Sequence, residues 1–248
     1  MKHRYSTISL FHKCQQLYKL TQIDGLDDGS DKSGDLTFGT AVHMGVEDLL
    51  KGGNGVDVFE MFWSLQEGKE LEYGRLGHDT LAELGKALLQ VFSEEHLRHF
   101  TPKHIEAKAE AQLGDYTFSG TVDFLGDYKG VPSVVDWKTS AMPYDNYKIQ
   151  CNEQMYGYAF LAEQALGFKA EQVVYGVAVK DPKNPRWQFK TSALSPDKQK
   201  AMLDNLVLTM KQIEVAKGAG FVKNAQHCVR GRYVCPFFDL CHKSPTKA

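Results

Sequence analysis

The stretch VVDWKTS, Val134 to Ser140, decides how this chain is read. Its valines, tryptophan and threonine favour an extended strand. Residues two apart on a strand face the same side, so Asp136 and Lys138 project together and Trp137 points the other way. Taken alone, such a pair is a solvated ion pair on a strand face; joined by a second carboxylate, it becomes a site for chemistry. The preceding stretch GTVDFLG carries Asp123 and is separated from VVDWKTS by a turn at Lys129 and Gly130. A hairpin there sets Asp123 beside Asp136. Two carboxylates converging at a sheet edge suit a hard divalent cation such as Mg²⁺. That cation polarises a phosphoryl oxygen and acidifies a bound water, while the lysine orients the water or offsets charge on phosphorus.

Outward from this hairpin, HIEAKAEAQL alternates Ile105, Ala107, Ala109 and Ala111 against polar residues, the period of a strand. QVVYGVAVK reads as a buried strand, DPKNP as a turn and RWQFKTS as the strand after it. Helices are expected over residues 5–20, over FGTAVHMGVEDLL up to Gly52 and Gly53, from Asp79 to Phe100 with Pro102 closing it, from Tyr147 to Leu166, and from Ser195 to Lys217. The Gly- and Asp-rich stretch from Asp24 to Asp35 reads as a loop; its register puts Leu26 where a calcium loop needs an oxygen, which excludes calcium there. The expected class is α/β, a mixed central sheet flanked by helices. It divides into a mainly helical part over 1–100, a sheet core with the active site over 101–192, and a helix plus a Cys-bearing basic tail over 193–248, all in one domain.

The chain has 248 residues, 42% hydrophobic and 24% charged, the composition of a globular protein with a sizeable core. No apolar run approaches a membrane span and no secretory signal is present, so the expected location is the cytoplasm. The net charge of -2 is unevenly spread. From Lys180 onward 13 basic residues face 5 acidic ones, whereas the rest holds 16 basic and 26 acidic residues. A basic section of this kind fits a polyanionic partner.

Two helical pairs add to the strand motif. His43 and Glu47 share a helical face, with Gly39 one turn earlier, and Gln154 and Tyr158 share another. The resulting order is G-x-x-x-H (Gly39, His43), G-x-x-D (Gly120, Asp123), D-x-K (Asp136, Lys138) and Q-x-x-x-Y (Gln154, Tyr158). This order resembles that of the RecB-type nucleases of the PD-(D/E)XK superfamily, whose fold is restriction-endonuclease-like. The resemblance spans roughly residues 6–241. It implies that His43, Asp123, Asp136 and the carbonyl of Trp137 ligate Mg²⁺ or Mn²⁺, that Lys138 supports the attacking water, and that Gln154 and Tyr158 line the DNA path. It also implies an acidic residue on the strand before Asp123, for which Glu110 is preferred over Glu106.

The chain has five cysteines. In a reducing compartment these favour metal binding or burial over disulfides. Cys14 stands alone near the start; Cys228, Cys235 and Cys241 cluster in the tail, and Cys151 reads as a packing residue. One distant and three clustered cysteines resemble the arrangement around a 4Fe-4S cluster in a subset of RecB-type nucleases, with zinc as the alternative. Six residues separate Cys228 from Cys235 where that subset commonly has two, which keeps His227 and His242 open as ligands in place of Cys228. The implied function is a metal-dependent DNA nuclease, an exonuclease acting on linear or single-stranded DNA in recombination, repair or replication. A nuclease of CRISPR spacer capture and a non-catalytic DNA-binding module on the same fold are the alternatives.

Overall fold

A computed structural model describes residues 2–231 and 233–242. A mixed sheet lies between two layers of helices. The chain opens with a short strand β1 (Lys2–Arg4), then α1 (Tyr5–Lys13), α2 (Gln15–Tyr18), α3 (Gly34–Leu50), α4 (Gly55–Ser64) and α5 (His78–Val91). Three long strands follow: β2 (Phe100–Leu113), β3 (Tyr116–Tyr128) and β4 (Val131–Ser140). Then come α6 (Asn146–Gln150), α7 (Glu153–Leu166), β5 (Gln172–Val179), β6 (Arg186–Ala193) and α8 (Pro196–Ala219). The tail adds α9 (Ala225–Cys228), a small hairpin of β7 (Val229–Arg230) and β8 (Tyr233–Val234), and α10 (Phe238–His242).

Local signals explain most boundaries. Ser33 caps α3 by accepting from the Leu36 amide, and Asn54 caps α4 by accepting from Val56. Pro196 occupies the first turn of α8 behind the Ser195 cap. The β3–β4 hairpin turns through Lys129 and Gly130, both left-handed (φ 53° and 78°), the conformation a two-residue hairpin needs. Two expected helices are broken. The first stops at Cys14, whose backbone is extended, and resumes at Gln15. The helix expected from Tyr147 splits where Asn152 caps α7 through the Gln154 amide, which leaves Cys151 exposed at the break rather than packed. The third long helix ends early: α5 gives way to a π turn and a 3-10 turn, and Phe100 already begins β2, with Pro102 inside the strand at a register shift. Pro102 has no N–H to give to a ladder, so the irregularity falls there. Helix α4 and strand β1 add to the expected elements.

In the sheet the β2–β3, β3–β4 and β5–β6 pairs are antiparallel, while β1–β3 and β4–β5 are parallel, the latter joined by the α6–α7 crossover. Strand β3 is the pivot. One edge pairs with β2 along its length. The other pairs with β1 at Thr117–Ser119 and with β4 only from Phe124 to Tyr128. Between these two partners, residues 120–123 face no strand on that side. Past Val135, β4 continues beside β5 alone. The sheet therefore forks, and the fork is where the candidate residues lie.

One core layer packs α1, α7 and α8 through Ile8, Phe11, Met155, Leu161, Leu206 and Ile213. The other packs α3, α4 and α5 through Phe38, Val42, Phe59, Leu81, Leu84 and Leu88. Trp137 is buried in this second layer against Phe92, Phe100, Phe124 and Trp187. Strand β2 departs from simple alternation: Ala107 and Ala109 belong to the first layer but Ile105 to the second. The residue between, Glu106, has φ 52°, a left-handed backbone that reverses the strand's faces.

Gly176 on β5 lies under the Trp137 ring; a Cβ there would come within 2.3 Å of it. Gly176→Ala is expected to destabilise the fold by about 1–3 kcal/mol through overpacking, read as a lower denaturation midpoint at unchanged slope. An unchanged midpoint would show that Trp137 does not hold this end of β4.

Candidate active site

The site is built at the fork from four elements. β3 supplies Asp123, β4 supplies Asp136 and Lys138, α3 supplies His43, and α7 supplies Gln154 and Tyr158. Where β4 loses β3 as a partner, the Asp123 carboxylate takes over: its Oδ2 accepts the Trp137 amide at 2.8 Å. A charge-assisted hydrogen bond of this kind contributes about 1.5–3 kcal/mol. It also fixes Asp123 against β4, next to Asp136. The Lys138 ammonium lies 2.5 Å from Asp136 Oδ2. On the other side Gln154 Nε2 donates to Asp136 Oδ1 at 3.2 Å and to the Tyr158 hydroxyl at 3.0 Å. His43 Nδ1 lies 3.8 Å from Asp123 Oδ2.

Two glycines make these approaches possible. A Cβ on Gly120 would meet the Tyr158 ring at 2.8 Å, and one on Gly39 would stand 3.3 Å from Thr139 Oγ1. The first lets α7 lie close on β3 and the second lets α3 close on β4.

Burial sets the electrostatics. Burial, then the neighbouring Asp136 charge, raise Asp123 well above the usual carboxylate range, although the Trp137 amide opposes them. Burial lowers His43, outweighing the pull of Asp136, so the imidazole is neutral at pH 7 and free to act as a ligand. Burial also acts to lower Lys138, but Asp136 and Asp123 more than compensate, and the ammonium stays protonated. Tyr158 is pushed up to about 12, mainly by burial, so it is a neutral hydroxyl.

The structure separates the two candidate glutamates. The β2–β3 register sets Glu106 between the Ile105–Phe124 and Ala107–Val122 pairs, level with Asp123. Burial raises its carboxyl, with Glu47 adding to this and Asp136 contributing. Glu110, the preferred one, instead pairs with Lys2 of β1 and is half exposed, away from His43 and Asp136. The left-handed turn at Glu106 gives the reason: it puts the two glutamates in different settings although they are four residues apart on one strand. Glu47, on the same helix as His43, is paired with Lys51.

The donors suit a hard divalent cation: the buried Asp136 carboxylate, the part-buried Asp123 carboxylate, a neutral imidazole and the Trp137 carbonyl. Asp136 is 2% exposed, and its Oδ2 makes no well-aligned hydrogen bond although the ammonium is near. A buried carboxylate oxygen in that condition calls for a cation. Among the described residues, however, no three His, Cys, Asp or Glu side chains are grouped closely enough to hold a metal as they stand; these donors meet in pairs.

Four of the five cysteines border one pocket elsewhere; among the described residues, no three of these are grouped closely enough to hold a metal as they stand either. Cys14, Cys228, Cys235, Cys241 and His242 line one narrow pocket walled by Leu17, Leu20, Phe237 and Phe238. Cys228 Sγ is 3.4 Å from His242 Nε2, whereas His227 packs on Tyr233. The tail is fastened here: Asn224 Nδ2 donates to the Lys13 carbonyl at 2.8 Å, its amide points at Cys14 Sγ at 3.3 Å, and the Gln16 amide donates to the Val222 carbonyl. Burial and the neighbouring thiols raise Cys228, and burial is also the main cause that raises Cys241. Of the basic residues from Lys180 on, Lys180, Arg186, Lys200 and Lys217 are already ion-paired; Arg232, Lys243 and Lys247 lie outside the described residues.

The family profile of the PD-(D/E)XK nuclease superfamily matches residues 5–242. No curated protein matches the sequence. Among solved structures, a protein of Eubacterium rectale provisionally named an exonuclease is similar over 97% of this chain and 93% of its own, with a TM-score of 0.57 and 13% identity. The protein SSO0001 is similar over 97% of this chain and 86% of its own, with a TM-score of 0.50 and 13% identity. At that identity both likenesses speak to the fold.

Because Asp123 holds its proton better in the fold than in the unfolded chain, where the value is about 3.9, its contribution to stability is complete below that value. It is lost as pH rises through the raised folded value. In the absence of divalent ions, Asp123→Asn should therefore raise stability at neutral pH and flatten the decline above pH 4. Melting curves between pH 4 and 8 test this; a destabilised variant would mean that the two carboxylates do not repel.

Proposed function

Because the chain belongs to the PD-(D/E)XK nuclease superfamily and has its restriction-endonuclease-like fold, we propose that it is a divalent-metal-dependent DNA nuclease of the RecB type, acting as an exonuclease. The observation that supports this best is the forked sheet, where the His43–Asp123 and Asp136–Lys138 pairs adjoin, linked by the Trp137 amide. Nucleases of this superfamily generally use divalent metals such as Mg²⁺. Asp123, Asp136, His43 and the Trp137 carbonyl would hold the ion, with Glu106, level with Asp123 on β2, a further carboxylate. When bound, the ion polarises the scissile phosphoryl group and acidifies the attacking water.

The chain's own residues do the rest. Lys138, protonated and held by Asp136, places a positive charge where negative charge develops on the phosphoryl oxygens. Gln154 fixes the Asp136 carboxylate from the side opposite the lysine and orients the Tyr158 hydroxyl. That hydroxyl, neutral across the working pH range, can donate to a phosphate oxygen of the DNA strand. The exonuclease reading draws on the name carried by the Eubacterium rectale protein. DNA as the substrate is supported by the RecB-type motif order.

We further assign a 4Fe-4S cluster to Cys14, Cys228, Cys235 and Cys241, which share one pocket although Cys14 is remote in sequence. In this role the cluster staples α1 and α2 to the tail. His242 lies close enough to Cys228 to replace it as a ligand.

Asp136→Ala and Lys138→Ala should each lower cleavage of labelled linear DNA by at least about 100-fold with DNA binding largely kept. EDTA should abolish cleavage in the wild type. Mg²⁺ or Mn²⁺ should raise the melting temperature of the wild type but not of Asp136→Ala. Wild-type rates in either variant would remove the site. Circular, single-stranded and RNA substrates in the same assay sort the nuclease class.

The protein purified without oxygen should be brown, with the broad visible absorbance of thiolate-to-iron charge transfer, and Cys235→Ala should lose it. A colourless protein with stoichiometric zinc would replace the cluster by zinc.

A further inference from the structure

Beside the fork lies a cavity of about 680 Å³, a size typical of small-ligand sites. It is lined by Lys2 and Arg4 of β1, Tyr5 and Ser6 of α1, Lys108 and Glu110 of β2, Ser119, Gly120 and Thr121 of β3, and Tyr158. Three cations face one carboxylate. Glu110 is bound to Lys2, and that ion pair runs from β2 to β1 across the β3 strand between them. Among the described residues, Arg4 and Lys108 have no ion-pair partner, so two positive charges remain uncompensated beside five hydroxyl side chains. The cavity shares a wall with the reactive centre: Tyr158 is in contact with Gln154, and Gln154 with Asp136.

Gly120 is the reason the two spaces adjoin. It sits in the stretch of β3 that no strand covers on one side, and the Tyr158 ring packs directly on it. A strand of nucleic acid whose backbone reaches Asp136 and Lys138 therefore passes Tyr158 and arrives at Arg4 and Lys108. The Lys2–Glu110 ion pair, half exposed, lines the same cavity. A strand that ends in this cavity offers these two cations a terminal phosphate.

We propose that this cavity is an end-binding subsite, in which Arg4 and Lys108 receive the terminal phosphate of the strand cut at the fork. The identity of the ligand as a nucleic-acid strand rests on the nuclease reading above. A terminal monophosphate carries more charge than an internal diester, and cations without partners in a concave site favour it accordingly. Glu110 tunes the site by withholding Lys2 from the ligand.

The test measures binding by the full-length protein in EDTA, so that no cleavage occurs. Short internally labelled single-stranded DNAs carry a 5′-phosphate, a 3′-phosphate or hydroxyls at both ends. One phosphorylated form should bind about tenfold tighter than the hydroxyl form, with inorganic phosphate erasing the difference; which form it is reveals the end that enters. Arg4→Ala and Lys108→Ala should each remove the preference, and Glu110→Gln, by freeing Lys2, should enlarge it. Equal binding of the three DNAs by the wild type, or a preference that survives in the Arg4→Ala/Lys108→Ala double variant, would overturn the subsite. So would a preference weakened by Glu110→Gln. A chain that cuts no nucleic acid in Mg²⁺ refutes the nuclease reading instead, and leaves this binding result readable by itself.

Discussion

The hydrogen bond from the Trp137 amide to the Asp123 carboxylate is the contact on which the site depends. It is made where a ladder ends. Strand β4 leaves β3 after Val135, and the next amide on that edge would otherwise be buried without an acceptor, at a cost of about 1–3 kcal/mol. Asp123 supplies the acceptor from its side chain. One interaction thus closes the sheet at the fork, aims a carboxylate at Asp136 and leaves residues 120–123 open on the side where α7 and α3 bring their polar groups. Trp137 holds the arrangement from below, its ring wedged over Gly176 among four aromatic neighbours.

The same burial that makes the site costly makes it useful. Two carboxylates and a lysine removed from water interact more strongly than they would at the surface, and the charges do not fully cancel. Asp123 is driven toward its neutral form, His43 is kept neutral, and Lys138 stays charged because Asp136 is beside it. A divalent cation held there, as proposed, would relieve the repulsion between the carboxylates, so metal affinity and native-state strain would be two sides of one arrangement. The left-handed backbone at Glu106 belongs to this arrangement, since it brings a third carboxylate level with Asp123 and at the same point switches β2 from one core layer to the other.

The tail depends on a second interruption. At Cys14 the first helix breaks into extended backbone, and the Lys13 carbonyl, left without a helical partner, is taken by Asn224 from the far end of the chain. The break turns Cys14 toward Cys235, Leu17 and Phe237 in a small apolar cluster. The residues of β1 and α1 that line the basic cavity therefore lie just ahead of the segment that anchors the tail.

Much of this was readable in the order of residues. The strand period, the hairpin turn at Lys129 and Gly130 and the 3.6-residue spacings are local, and local rules carry them: they place Asp136 and Lys138 on one face and pair His43 with Gly39 along a helix. Motif order extends that reading to the superfamily. Three features escaped it. The short β1 has too few residues to show a period, and its pairing with β3 is a contact between positions more than a hundred residues apart. The helix breaks at Cys14 and Cys151 depend on partners elsewhere or on the Asn152 cap. The choice between Glu106 and Glu110 turns on one left-handed residue that side-chain alternation does not reveal. Periodicity is a property of neighbours along the chain; which carboxylate meets which cation is a property of the fork, and the fork exists only once the sheet is assembled.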